Sequence, residues 1–537
     1  MKFNMLATIL LILLCNQSIA LSDEDPAEIT VGERLFLETR FAQAYYANPN
    51  KEDPVMDKTM LTSKALRGPF AGKTMNCRAC HMVDEHAKNP SAGMRSYADY
   101  AKRPPVPSRK DGAKTSGRNS MSMVNISLPH HTQESAVFHF DGQFNSMEDL
   151  IRATYTGRNF GWLVGEDKLA IKHIAKIIRQ DNGSGELAKE FGGRYSTLLQ
   201  GTDKNIPNKF RLPNEYRIDV KHASDLEIFN TVAKLVAAYV GGLTFEIDDK
   251  GNYIGSPYDA FLKKNNLPRK PNKNESPQEY SSRLLDAVNQ IKQPRFVTNK
   301  TNNFMNHKQE FVFQQKELKG MKLFFKKGSQ KLSGGNCVSC HTAPHFSDFG
   351  FHNTGLSQQN YDELHGQGAF IKLRIPNLEK RNKNHDDFLP ATSKHPLASS
   401  RFRSIAAKNK IGYTDLGLWN VFANPDMPAP QEKLKNIMCM QSSMLIKNNC
   451  NDAAILKNTV AAFKTPVLRD LGHSSPYMHT GQFLDLQQTV RFYITSSSLA
   501  KNKNLRNTEE KIMNINISEK DIEPLVAFLK SLNEDYE

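Results

Sequence analysis

The 537-residue chain carries 71 Lys and Arg against 56 Asp and Glu, a formal charge of +15, and 39% hydrophobic residues. That length suffices for two or three domains with proper cores, and no stretch beyond the N-terminus approaches the 18 apolar residues of a membrane span. The basic side chains are scattered rather than interleaved with aromatics, which argues against nucleic acid and leaves an acidic protein partner or a generally solvated basic surface.

Residues 1–20 read as a secretory signal, with Lys2 as the positive start, an apolar run from Leu6 to Leu14, and Ser18-Ile19-Ala20 as a small-x-small cleavage site. Cys15 follows Leu14, where a lipoprotein signal would want a small residue, so it falls with the signal. The expectation is a soluble, exported, periplasmic protein without stable membrane insertion, in a compartment where disulfides persist.

A first unit is expected over residues 21–247. It opens with a helix at 33–41 and then reaches Cys77-Arg78-Ala79-Cys80-His81. A C-x-x-C-H run is the attachment signature of a c-type haem: two thiols add across vinyl groups and the adjacent imidazole becomes the proximal iron ligand. The unit closes with a helix at 223–240, where Leu226, Phe229, Val232, Ala233, Val236 and Val240 share a face. Residues 248–306 shift to Asn, Lys and Pro and read as a linker with one short helix near 280–291. A second unit, 307–537, opens with a helix at 317–325 and reaches Cys337-Val338-Ser339-Cys340-His341. It closes with a helix behind a Ser518 cap, placing Leu525, Phe528, Leu529 and Leu532 on one face.

With seven cysteines and sixteen histidines, composition predicts about 0.003 C-x-x-C-H runs by chance, against the two present. Half of a structural zinc site or a redox dithiol at each pair would leave the following histidines, and the export signal, unexplained. Two covalent haems take four cysteines, so Cys439 and Cys450 remain as a natural disulfide, worth roughly 2–3 kcal/mol by loop entropy.

The units read as diverged copies. Leu235-Val236-Ala237-Ala238-Tyr239 echoes Leu525-Val526-Ala527-Phe528-Leu529, and Phe140-Asp141-Gly142-Gln143-Phe144 echoes His479-Thr480-Gly481-Gln482-Phe483. Continuing the second register pairs Ile151 with Val490 and Thr154 with Tyr493. A phenolate can ligate ferric haem and a threonine cannot do so well, so the second iron would be capped and the first open. Tyr493 read alone is equally a core tyrosine, Met478 is a rival ligand at the second haem, and His86, His130, His131 and His139 are rivals at the first. The fold class expected is mainly α: two cytochrome c-like haem domains related by duplication, with long loop insertions.

Phe463-Lys464-Thr465-Pro466-Val467-Leu468-Arg469-Asp470 and Ser475-Pro476-Tyr477-Met478-His479-Thr480-Gly481 resemble the signature of bacterial di-haem cytochrome c peroxidases and their MauG-type relatives. Gly117-Arg118-Asn119 and Phe140-Asp141-Gly142 resemble that family's first-domain motifs. The resemblance is thin across 248–306 and across 351–462, which reads as an insertion. It implies a peroxidatic N-terminal haem, a C-terminal relay haem and a calcium ion between them, held by the Asn119 side chain and the Ser474 and Pro476 carbonyls. MauG-type members cap the relay haem with tyrosine, which falls on Tyr493. No histidine lies between Met94 and Arg118, which implies a first haem that needs no reductive activation.

Three departures follow from the same resemblance. Phe140 stands where the family has a tryptophan between the haems, Leu150 where it has a distal glutamine, and Phe160 or Gly161 near its distal glutamate. Glu166, Arg158 and Trp162 are the nearby groups that could serve the proton shuttle of peroxide cleavage. The implied activity is reduction of hydrogen peroxide over His81, with the second electron from the haem held by His341 and Tyr493. The reductant would be a small exported cytochrome c or cupredoxin, or a residue of a substrate protein. The competing readings are a non-catalytic electron-transfer cytochrome and a haem-dependent oxygenase.

Overall fold

The computed structural model describes residues 25–49, 76–77, 80–81, 106–107, 109–113, 115–298, 311–329, 331–441, 450–471 and 474–534. The signal segment, His86 and Met94 lie outside them. The main helices in chain order are α1 (Ala27–Phe36), α2 (Met147–Tyr155), α3 (Asp167–Gln180), α4 (Asp225–Gly242), α5 (Pro257–Lys264), α6 (Pro277–Gln290), α7 (Gln315–Phe325), α8 (Leu486–Lys501) and α9 (Glu519–Lys530). Among the described residues strand structure is confined to β1 (Phe351–His352) and β2 (Phe463–Lys464), so the protein is mainly helical. None of these helices is long and apolar enough to cross a membrane.

Two helix pairs organise the chain, α1 against α4 and α7 against α9. Each crossing is made possible by a glycine. A Cβ on Gly32 would fall on the Leu235 carbonyl and come within 2.9 Å of the Tyr239 Cβ. One on Gly320 would fall on the Pro524 carbonyl and within 2.8 Å of the Phe528 Cβ. The contacts pair Leu235 with Pro524 and Tyr239 with Phe528, one residue away from the echo read in the sequence. Helix α1 also lies earlier than the expected 33–41, because Gly32, a poor helix former, sits mid-helix as the point of close approach. Residues Thr39–Phe41 form a separate 3-10 turn.

Helix α4 is held at its start by a Ser224–Glu227 capping box, and α9 by one between Ser518 and Asp521. The stripe on α9 is buried as expected, whereas Leu226 on α4 is 54% exposed: it lies in the first turn, beyond the contact with α1. The stretch 248–306 is more than a linker with one helix. Ser256 caps α5 with Pro257 at its first turn, and Tyr258, Phe261 and Leu262 join Tyr280, Leu284 and Val288 of α6 in the core of α7 and α9.

The second sequence echo is matched locally. Phe138 bridges Phe144 and Tyr477 bridges Phe483 in antiparallel pairs. Within them His139 and Met478 both have positive φ, followed by positive-φ glycines, Gly142 and Gly481. Ser146 then caps α2 and Asp485 caps α8, so the register persists into the two helices. Between β1 and β2, residues 353–462 bury a third cluster around Trp419, Phe402 and Leu434, joined by Val137. Phe351 pairs with Lys464 and His352 with Phe463, which brings the two ends of this stretch together. Cys439 and Cys450 are disulfide-bonded within it.

Candidate haem sites

The described residues of the two C-x-x-C-H runs share one backbone contact. His81 N donates to Cys77 O at 2.9 Å, and His341 N to Cys337 O at 2.9 Å. In each, the imidazole Nδ1 lies 3.0 Å from a backbone carbonyl, Met121 O for His81 and Phe346 O for His341. A carbonyl fixes the ring proton on Nδ1 and leaves the Nε2 lone pair for a metal. Burial lowers both imidazoles to about 4, which keeps them uncharged, and pushes the Cys77, Cys80 and Cys337 thiols up to about 12. None of the four motif cysteines is in a disulfide. Free thiols beside a neutral imidazole with an unused Nε2 are the donor set covalent haem requires, so these residues fit the group.

At the second motif, Cys337, Cys340 and His341 line one predominantly apolar cavity with Met478 and Tyr493. Tyr493 is half-buried on α8, and burial first, then the neighbouring Cys340 and Cys337 thiols, hold its phenol above the usual range. Met478 sits in the tight hairpin turn, where its counterpart is His139 rather than a helix residue. Phe140 lines the same cavity, edge-on to His479 with centroids 6.3 Å apart. Three cationic side chains also line it, Lys464 of the signature run and two that the sequence gave no reason to single out, His352 and Lys511. Lys464 is buried, lowered to about 8 by that burial, and donates to Val137 O at 2.7 Å. His352 lies 2.8 Å from both Asp348 and Glu509, and Lys511 is beside Asp348.

At the first motif the counterpart of Tyr493 is Thr154, whose hydroxyl donates to Leu150 O of its own helix at 2.8 Å. The next residue, Tyr155, is buried near Cys77 and donates to Leu35 O at 2.9 Å. Phe160 packs on Tyr155 with centroids 4.9 Å apart, and Trp162 is fully buried. Glu166 is spent on its loop: one oxygen accepts from Leu163 N at 2.8 Å, the other meets Arg109 at 2.7 Å, and the carboxyl is held below its ordinary range despite burial. These contacts clamp the loop that carries it. Arg158 is likewise paired, with Asp111 at 2.7 Å. The His130 and His131 rings lie 4.2 Å apart and tilted by 37°, and both feel the charge of Asp348, beside the second motif.

The sites adjoin through the first-domain motifs. Met121, whose carbonyl holds His81, lines the cavity of the second motif. It escaped the sequence reading because a backbone carbonyl leaves no side-chain signature; its only signal is a place two residues after Asn119. Beside it Asp141, wholly buried, pairs with Arg118 at 2.7 Å and Arg403 at 3.1 Å, and Arg118 also grips Asp415 at 2.7 Å. His139 faces Asp141 at 3.1 Å.

Asn119 crosses to the other motif loop. Its N–H donates to His479 O at 2.8 Å and its Nδ2 lies 2.6 Å from Pro476 O, while Oδ1 is buried with no hydrogen-bond partner. Exchanging the two amide atoms would aim Oδ1 beside the Pro476 carbonyl, an all-oxygen pairing that repels unless a cation lies between. Ser474 lies two residues before Pro476 on the same cavity wall. These residues fit a hard cation such as calcium.

The chain is 31% identical over 74 residues to the curated cytochrome-c peroxidase IdrP1 of Denitromonas iodatirespirans, a match covering 14% of this chain and 18% of that protein. The aligned stretch thus spans under a fifth of the relative. No protein-family model matches. Among solved structures the chain is similar to the diheme peroxidase BthA of Burkholderia thailandensis E264, at 15% identity and a TM-score of 0.41, covering 95% of this chain and 86% of that one. It is also similar to a MauG-like protein associated with microbial copper homeostasis, at 13% identity and a TM-score of 0.42, covering 96% and 90%. Structural likenesses at these scores carry no argument about function.

Proposed function

We propose that the protein is an exported di-haem c-type peroxidase of the cytochrome c peroxidase or MauG-like kind. Its two cytochrome c-like units, residues 21–247 and 307–537, would be related by duplication, joined through 248–306, with an insertion over 351–462. The glycine-mediated helix crossings, the matched hairpins and the shared helix register support that reading. The observation that carries the function is the asymmetry at one position: Tyr493 lines the cavity of the second motif, whereas Thr154 bonds into its own helix.

Haem attached through Cys77 and Cys80, and through Cys337 and Cys340, supplies iron that accepts an oxygen ligand and exchanges single electrons. His81 and His341 would bind the iron through Nε2, each oriented by its carbonyl. Tyr493 would be the further ligand to iron at the second site, and the first would be left to hydrogen peroxide. Leu150 and Phe160 make the surroundings of the first motif apolar, and Glu166 with Arg109 orders the loop behind them. Phe140 and Met121 occupy the wall between the sites. Lys464 and Lys511 offer cations to haem carboxylates at the second. Asn119, Pro476 and Ser474 would hold calcium. The reductant is a small exported cytochrome c or cupredoxin, or an oxidisable residue of a substrate protein.

The test is low-temperature EPR of the air-oxidised protein with optical spectra before and after one equivalent of peroxide. One high-spin and one low-spin ferric signal, both lost on addition, are expected. Two low-spin signals that ignore peroxide, in the oxidised and the half-reduced protein alike, would leave an electron carrier instead.

A further inference from the structure

The stretch 351–462 carries a histidine pair that neither haem motif uses. His385 begins the short helical turn His385–Phe388, and His395 lies on the loop that follows. Their rings stack in parallel, with centroids 3.9 Å apart and planes 10° apart. Asp426 arrives from a separate turn, its Oδ2 3.8 Å from His385 Nε2 and 4.0 Å from His395 Nε2. One ligand atom from each of the three residues falls within 4.8 Å of the others.

The surroundings orient these atoms. His395 Nδ1 lies 2.7 Å from Asp386 Oδ1, a carboxylate–imidazole pair that keeps the ring proton on Nδ1 and turns the Nε2 lone pair toward Asp426. Thr392 Oγ1 donates to Asp426 Oδ2 at 2.5 Å and fixes the carboxylate. Asp426 and His385 have side chains only 7% and 5% exposed, whereas His395 is 37% exposed and gives an entry path.

We propose that His385, His395 and Asp426 bind one divalent transition ion of the zinc class, with an open fourth position on the solvent side. Two imidazoles and a carboxylate are a ligand set for such an ion, and tetrahedral bonds of about 2.0–2.2 Å place ligand atoms about 3.4 Å apart, so the stacked rings must turn until their Nε2 lone pairs converge. Two groups must yield. His385 Nε2 lies 3.0 Å from Pro390 O, so its proton moves to Nδ1 when an ion takes the lone pair. Lys394 Nζ, 3.5 Å from Asp426 Oδ1 but 72% exposed, swings into solvent. The bound ion ties the 385–395 segment to the turn at Asp426, independently of any haem chemistry.

The experiment is equilibrium dialysis of the chelator-treated holoprotein against zinc chloride, with protein-bound zinc measured by mass spectrometry. Wild type is expected to take up one equivalent more than His395→Ala, a variant at an exposed side chain whose helix content and haem spectrum serve as folding controls. Asp386→Asn, which touches no ion, should bind that equivalent about 10–100-fold more weakly. Equal uptake by wild type and His395→Ala would overturn the site.

Discussion

At the scale of single residues, the ligand assignment turns on Tyr493. Its hydroxyl neighbours both cysteines of the second motif, so Tyr493→Phe should convert the low-spin signal of the second haem to high spin, read by EPR. An unchanged low-spin signal would move the ligand to Met478, which lines the same cavity. Glu534 gives a prediction of a different kind. Burial, set against the pull of Arg469, raises its carboxyl from an ordinary value to about 8, and Glu246 N donates to it at 3.0 Å. Between about pH 4.5 and 8 the folded chain then holds a proton that the unfolded chain has released. Stability therefore falls as pH rises through that window, by up to ~1.4 kcal/mol per pH unit. Glu534→Gln should flatten the decline in urea midpoint from pH 6 to pH 8; an unaltered decline would refute the shift. The cysteines and histidines of the two motifs were legible because the covalent attachment proposed for them demands fixed spacing. Glu534, whose behaviour comes from burial against residues nearly 300 positions away, was not.

At the scale of elements, the closing helices α4 and α9 were legible from their apolar periodicity, because each buries a stripe, whereas the opening helix expected at 33–41 lies at Ala27–Phe36. Helix α5 was not: eight residues between runs of Asn, Lys and Pro are too few to establish a period, though Ser256-Pro257 marked its start. The glycines in α1 and α7 are the points of contact, which a side-chain pattern does not mark. Gly320→Ala must push α9 away, since its Cβ would fall on a backbone carbonyl that cannot rotate aside. The expected cost is about 1–3 kcal/mol or more in urea unfolding of the holoprotein. Gly241→Ala, where the nearest atom is Ser127 Oγ at 3.9 Å, should cost less than about 1 kcal/mol, as a helix position that gains Ala. Equal losses would show that the crossing tolerates a methyl group.

At the scale of the whole molecule, the motif loops and the stretch 351–462 are joined by charge as well as by the β1–β2 pairing. Arg118 and Asp141 come from the first part of the chain and Arg403 and Asp415 from the later stretch, and both Asp141 and Arg118 are buried. No local pattern in sequence pairs residues more than 250 positions apart, so this junction was invisible until the chain was folded. Its four charges balance. Arg403→Ala leaves one guanidinium between two carboxylates that it already contacts, whereas Asp141→Asn takes from Arg403 the carboxylate it pairs with, Asp415 being held by Arg118. Removing one member of a buried ionic set costs about 3–5 kcal/mol when a charge is stranded and less when its partner keeps another. Asp141→Asn should thus be the more destabilising of the two. Because Trp162 packs in the core around α1 and α4 and Trp419 in the later cluster, the two report separate parts of the molecule. With Trp162 replaced by Phe, the fluorescence of Trp419 and the far-ultraviolet dichroism should change together during urea unfolding. In the further Asp141→Asn variant, Trp419 should be released first, because the later cluster loses its ionic anchor while the helix crossings persist. Coincident transitions in that variant would mean that the β1–β2 pairing and the Val137 contact couple the two parts without the ionic set.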